Sequence, residues 1–197
     1  MSTPKSARTP ATEIRINLLA AGRRILERDG ETALTVRAVA KDAGVAPMGV
    51  YNHFDGKEGL LNALVSDGFA EFAGVVTAID TDPAERLRNC GRNYRTFALA
   101  NPNLYTLMFS TDCEADDEVA ARSFGVLADI VRYGQGVGSI RPGDALDLAA
   151  QVWACVHGAV ALELTDAYPP FIDAGELYEH VLDLVARGVQ PSYSKLR

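Results

Sequence analysis

Residues Thr35–Leu61 read TVRAVAKDAGVAPMGVYNHFDGKEGLL, and their spacing decides the fold. Thr35 carries a hydroxyl suited to an N-cap, and Val36, Val39 and Ala40 recur at the spacing of one helical face. Gly44 stands where that first short helix must stop, a position that favours a left-handed residue. Val45 can fill the corner, and Pro47 suits the first turn of a second helix, where a missing N–H costs nothing. Over Pro47–Phe54 the apolar Val50 and Phe54 lie four apart and point inward, so Met48, Gly49, Asn52 and His53 face outward. A third helix opens at Lys57. The pattern is a helix-turn-helix, the arrangement that lays its second helix in a DNA major groove.

The segments around it also read as helix, and no alternating strand pattern stands out. Residues 1–9 are expected to form a disordered arm, in which Lys5 and Arg8 are candidates for a minor groove. A helix is expected over Pro10–Asp29, and the one opening at Lys57 is expected to reach Ile79. Asp82-Pro83 caps and starts another, running to Ala100; Asn101-Pro102 breaks it and opens a short helix ending near Ser110. The acidic stretch Asp112–Glu118 leads into a helix ending near Tyr133, where Gly134, Gly136 and Gly138 read as a flexible connection. Pro142–Asp166 is apolar over much of its circumference, and Asp173–Gly188 sets Leu177, Val181, Leu184 and Val185 on one side. Such outer faces can be buried only against another chain, unless both helices belong to the core of a monomer.

The composition is that of a globular protein: 48% of residues are hydrophobic and 23% charged. The net charge of −7 divides unevenly. Residues 1–60 hold nine Lys/Arg against seven Asp/Glu, and residues 61–197 hold ten against nineteen. Positive charge therefore gathers where a nucleic acid would dock, and the acidic remainder discourages binding elsewhere. No apolar run approaches ~18 residues, so no membrane span is expected. The amino-terminal residues are polar and mixed, so no secretory signal is expected there. Cys90, Cys113 and Cys155 fit neither a zinc spacing nor a disulfide framework, which points to free thiols in a reducing cytoplasm and to no metal or cofactor.

Residues 14–61 resemble the DNA-binding domain of the TetR (tetracycline-repressor-like) family of transcriptional regulators. The resemblance is carried by Ile14–Arg28, Gly30–Arg37, Ala40, Ala43-Gly44-Val45, Val50–Phe54 and Lys57–Leu61. The Asn101–Phe109 run and the Trp153…His157-Gly158 spacing resemble one subset of the family's regulatory domains. The resemblance implies an all-α fold of about nine helices. A three-helix DNA-binding domain over residues 10–60 would precede an effector-binding and dimerisation domain over 61–197. It also implies a ligand-released repressor that binds a palindromic operator in double-stranded DNA as a dimer, the last two helices pairing with the partner's copies.

On this resemblance, phosphate contacts fall to Thr35, Tyr51, His53 and Lys57, whose hydroxyl, ring and ammonium donors suit the role. Arg37 matches a family position that can reach guanine, and its fork suits O6 and N7. Ala46-Pro47-Met48-Gly49 has no side chain able to make a bidentate hydrogen bond. Specificity is therefore expected from Arg37, from contacts of Pro47 and Met48 with thymine methyls, and from DNA shape. Gly49 lies on the same face, and Asn52 can reach adenine or a phosphate.

For the effector, the candidates are Tyr94, Phe97, Tyr105, Met108, Phe109, Phe124 and Trp153, with His157 as a polar fixture. An apolar lining of this kind suits a small hydrophobic or amphipathic molecule. For each of these residues core packing is the favoured explanation. No G-x-S-x-G, HExxH or phosphate-loop lysine occurs, and His53, His157 and His180 form no pattern with a nucleophile, so an enzyme is not expected. A helical protein-interaction module is the remaining alternative.

Overall fold

In the computed structural model the described residues are 10–110 and 113–191; the arm with Lys5 and Arg8, and Asp112 of the acidic stretch, lie outside them. The described residues form nine α-helices and no strand. They are α1 (Ala11–Asp29), α2 (Val36–Asp42), α3 (Met48–Phe54), α4 (Lys57–Val75), α5 (Pro83–Ala100), α6 (Pro102–Met108), α7 (Asp117–Gly136), α8 (Ala145–Leu164) and α9 (Ala174–Gly188). One 3-10 turn, Glu31–Ala33, follows α1.

Four helices begin on side-chain caps. Thr35 accepts from the Ala38 N–H, Asp82 from Ala84 and Glu85, Asp144 from Leu146 and Asp147, and Asp173 from Glu176. Each satisfies first-turn amides that otherwise lack a partner, and contributes about 1 kcal/mol. The cap on Asp144 also explains why α8 starts at Ala145 rather than at Pro142.

Two helix ends differ from the sequence expectation. The fourth helix stops at Val75, not Ile79. Arg86 instead takes the carbonyls of Asp80 (2.6 Å) and Ile79 (3.0 Å), and Tyr133 donates to the Thr81 carbonyl. Gly134 and Gly136 do not interrupt α7 but lie within it. At Gly134 a Cβ would lie 2.5 Å from Ile140 Cδ1, so this glycine admits the returning chain and does not serve as a hinge.

The chain divides into two compact units, Met1–Gly68 with Asn103–Asp116, and Phe69–Pro102 with Asp117–Arg197. The residue 60–61 boundary expected from the sequence falls inside α4, and α6 groups with the first unit. In the first unit α1, α2 and α3 pack together over Leu18, Ile25, Val39 and Val50, all buried. Gly22 lets Leu64 of α4 come within 3.2 Å of where a Cβ would stand.

In the second unit α5, α7, α8 and α9 surround Leu87, Val131, Leu148, Val160 and Leu182. Three arginines of α5 tie it to its neighbours: Arg88 to Asp183 (3.1 Å), Arg92 to Glu179 (2.8 Å) and Arg95 to Glu163 (2.6 Å). Hydrogen bonding from Arg92 holds the Glu179 carboxyl below the usual carboxylate range.

By length and composition alone α8 would pass for a membrane span, with a mean hydropathy of 1.4 over 18 residues. The sequence expectation of no such stretch passed over this helix, whose apolar residues are interrupted by Asp147, Gln151, His157 and Glu163. One face of α8 is buried among its neighbours through Leu148, Val152, Val156 and Val160. The cysteines are free: Cys90 is buried, Cys113 half-buried and Cys155 exposed. Burial pushes the Cys90 thiol up to about 12. Among the described residues no group of three or more His, Cys, Asp or Glu is placed to hold a metal ion.

Candidate nucleic-acid interface

Backbone stereochemistry builds this region. Gly44, at φ +70°, ends α2, and the Val45 N–H returns to the Ala40 carbonyl at 2.9 Å. The chain re-enters helical geometry at Pro47 (φ −54°, ψ −30°) and forms α3, with Val50 and Phe54 buried. The Arg15 guanidinium lies 4.9 Å from the centre of the Phe54 ring and fixes α1 over that end of α3. Asp55 (φ 59°) and Gly56 (φ 101°) then turn the chain into α4. At Gly59 a Cβ would fall 1.6 Å from the Phe54 carbonyl oxygen. Only glycine lets α4 begin that close to the last turn of α3. The Lys-Glu-Gly-Leu run thus encodes a steric requirement as well as a candidate charge contact.

The side chains singled out in the sequence lie as follows. Met48 is 63% and Tyr51 54% exposed, and Pro47, Asn52, Arg37 and Thr35 are exposed. Gly49 and His53 are half-buried, Gly49 because Val45 packs 3.5 Å from its Cβ position. The Tyr51 ring leans on Gly56, whose Cβ position is 3.5 Å from Cε1. Thr35 Oγ1 accepts the Ala38 N–H at 3.2 Å, and its own proton can donate outward. Between the start of α1 and α3 runs an open groove of about 640 Å³, bordered by Pro10, Ile14, Met48, Asn52 and His53.

Two partners here were missed in the sequence. Glu31, on the 3-10 turn, holds Lys57 Nζ at 3.9 Å from its Oε1, and Arg24 donates to Asp42 at 3.1 Å, clamping α1 to α2. Neither pair has a periodic signature. The first depends on the turn after Gly30 (φ +79°), and the second spans eighteen residues.

The effector candidates fall in both units. Tyr94, Phe97, Phe124, Trp153 and His157 belong to the second, and Tyr105, Met108 and Phe109 to the first. In the second unit the Trp153 indole N–H donates to the Tyr94 oxygen at 3.3 Å, and that hydroxyl lies 2.8 Å from His157 Nδ1. Indole nitrogen can only donate. The chain is satisfied in one direction when Tyr94 donates to Nδ1 and the imidazole proton sits on Nε2. Desolvation holds the His157 pKa below its usual value. Phe72 meets both Tyr94 (5.1 Å) and Phe97 (5.2 Å) edge-on, and Phe124 stands 6.2 Å from Trp153. In the first unit Tyr105 and Phe109 meet at 4.9 Å beside a buried Met108.

A short helix held by a glycine turn, with its outer face open and cationic side chains at its margins, defines a helix-turn-helix DNA-binding protein. The profile described as bacterial regulatory proteins, tetR family, matches residues 18–64, and that of the tetracyclin repressor-like C-terminal domain matches residues 87–185. The HTH-type transcriptional regulator Rv0681 of Mycobacterium tuberculosis is 26% identical over 192 residues, covering 94% of this chain and 86% of its own. A solved protein of unknown function from Rhodococcus sp. RHA1 superposes with a TM-score of 0.79 at 26% identity, covering 96% of this chain and all (100%) of that one. A TetR-family transcriptional regulator from Haemophilus influenzae (TM-score 0.67, 21% identity, 93% and 100% covered) shares the fold. The chain belongs to the TetR family of DNA-binding transcriptional regulators.

Proposed function

We propose that this regulator is a ligand-released repressor that binds a palindromic operator as a homodimer. The observation that carries the reading is the outer face of α3, where Met48 and Tyr51 stand more than half exposed beside Asn52 while Val50 and Phe54 anchor the helix. Thr35, Tyr51, His53 and Lys57 take phosphates. Arg37 reads a guanine, Pro47 and Met48 touch thymine methyls, Gly49 allows close approach, and Asn52 reaches adenine or a phosphate. The outer faces of α8 and α9 pair with a second copy; Leu146, Leu162 and Leu184 are 49%, 46% and 60% exposed there. A small hydrophobic or amphipathic effector among the aromatic residues would favour a separation of the two reading helices that no longer matches successive major grooves. The protein is then cytoplasmic, with the DNA-binding part in the first unit.

The test is a binding-site selection seeded with DNA upstream of the protein's own gene. Arg37→Ala should relax preference at one base pair per half-site, whereas Lys57→Ala should weaken all sequences alike and flatten the salt dependence. An Arg37→Ala protein that keeps full preference at every position refutes the assignment. A metabolite panel screened for release of the bound DNA tests the effector.

A further inference from the structure

The short helix α6 belongs with the DNA-reading unit, although its neighbours in sequence, α5 and α7, lie in the other. What fastens it is a pair of caps exchanged between two helix ends. The Glu27 carboxylate, near the end of α1, accepts the Leu104 N–H at 3.0 Å and the Asn103 N–H at 3.4 Å. The Asn103 side-chain amide donates back to the carbonyls of Leu26 (3.0 Å) and Glu27 (3.1 Å). First-turn amides and last-turn carbonyls are the groups a helix cannot satisfy internally, and here each helix supplies the other's missing partners. The carboxylate is also favoured by the positive end of the α6 dipole. Arg23, one turn earlier, lies 3.8 Å from Glu27 Oε1. On the far side Gly68 of α4 makes room for α6, since a Cβ there would stand 2.9 Å from both Leu104 and Met108.

We propose that Glu27 and Asn103 are positioning residues of the DNA-binding machinery. Their exchanged caps make α6 and α1 one body, so that engagement of DNA by α3 and the local stability of α6 are linked. α1 packs directly on α3, which completes the path. Linkage works in both directions: whatever loosens α6 weakens DNA binding, and DNA tightens α6. The inference rests on the DNA-binding reading of α3.

The experiment is hydrogen exchange, read by mass spectrometry, on the full chain with and without a duplex from the region upstream of its own gene. In the wild type, peptides covering α3 and α6 should both slow, α6 by roughly fivefold, the low end of coupling between two sites. In Asn103→Leu and in Glu27→Ala, α3 should still slow while α6 keeps its DNA-free rate; unchanged DNA-free exchange in α2, which lies in the same unit, certifies the fold of either variant. Slowing at α3 with none at α6 in the wild type overturns the proposal, as does α6 protection that survives in a folded variant. No slowing at α3 removes the DNA-binding reading and this inference with it.

Discussion

In the first unit Met48, Tyr51 and Asn52, proposed above to meet DNA, are exposed and are aimed by the backbone: a left-handed glycine before α3, a left-handed aspartate after it, and a glycine pressed on a carbonyl. In the second unit the candidate effector residues are aimed by one another. Tyr94, 5% exposed, is set by Trp153, His157 and the edge of Phe72. Where turns do the aiming, stereochemistry dictates identity and almost no substitution is neutral. Where packing does it, several aromatic or aliphatic residues serve, and loss of one is spread over its neighbours.

The sharpest test of that contrast is Gly59→Ala. The new methyl collides with backbone, which cannot rotate away, so destabilisation of roughly 3 kcal/mol or more is expected, with loss of DNA binding. Gly91→Ala, in the second unit, meets the end of the Leu182 side chain first, at 2.4 Å, and should cost about 1–3 kcal/mol in the same urea titration. Equal costs would erase the distinction between turn-aimed and packing-aimed regions.

A second test uses pH. The folded-state pKa of His157 lies below the unfolded value, so the unfolded chain binds more protons as pH falls. The contribution is complete above about pH 6.5, the unfolded value, and fades as pH drops towards the folded pKa. His157→Gln should flatten this slope in denaturation midpoints measured between pH 7 and 5; an unchanged slope would take the Tyr94–His157 chain out of the account. The smallest effect belongs to the first unit. Glu31→Gln frees Lys57 from its exposed partner, and DNA affinity should rise by no more than about 1 kcal/mol, in gel shifts at low salt.

How far the sequence reveals each region follows from the same contrast. Gly44, Pro47, Val50 and Phe54 are positions where helix geometry leaves few choices, and α3 is found where their spacing puts it. Asp82 and Asp173 announce helix starts for the same reason. Less legible are features decided by residues far away in the chain. The end of α4 depends on Arg86, the course of α7 through Gly134 depends on Ile140, and the place of α6 depends on Glu27, seventy-odd residues earlier. The aromatic residues of the second unit are apolar and periodic whether they line a ligand or merely fill a core. Their chemistry as residue types does not separate the two roles.

The three thiols give the native chain a built-in set of chemical reporters. With its sulfur sealed and its acidity suppressed, Cys90 stays silent toward maleimides while the protein is folded, whereas Cys155 looks outward from α8. Alkylation kinetics at Cys155 would therefore register whatever comes to cover that helix, and sudden labelling of Cys90 would register unfolding, with no engineered tag required.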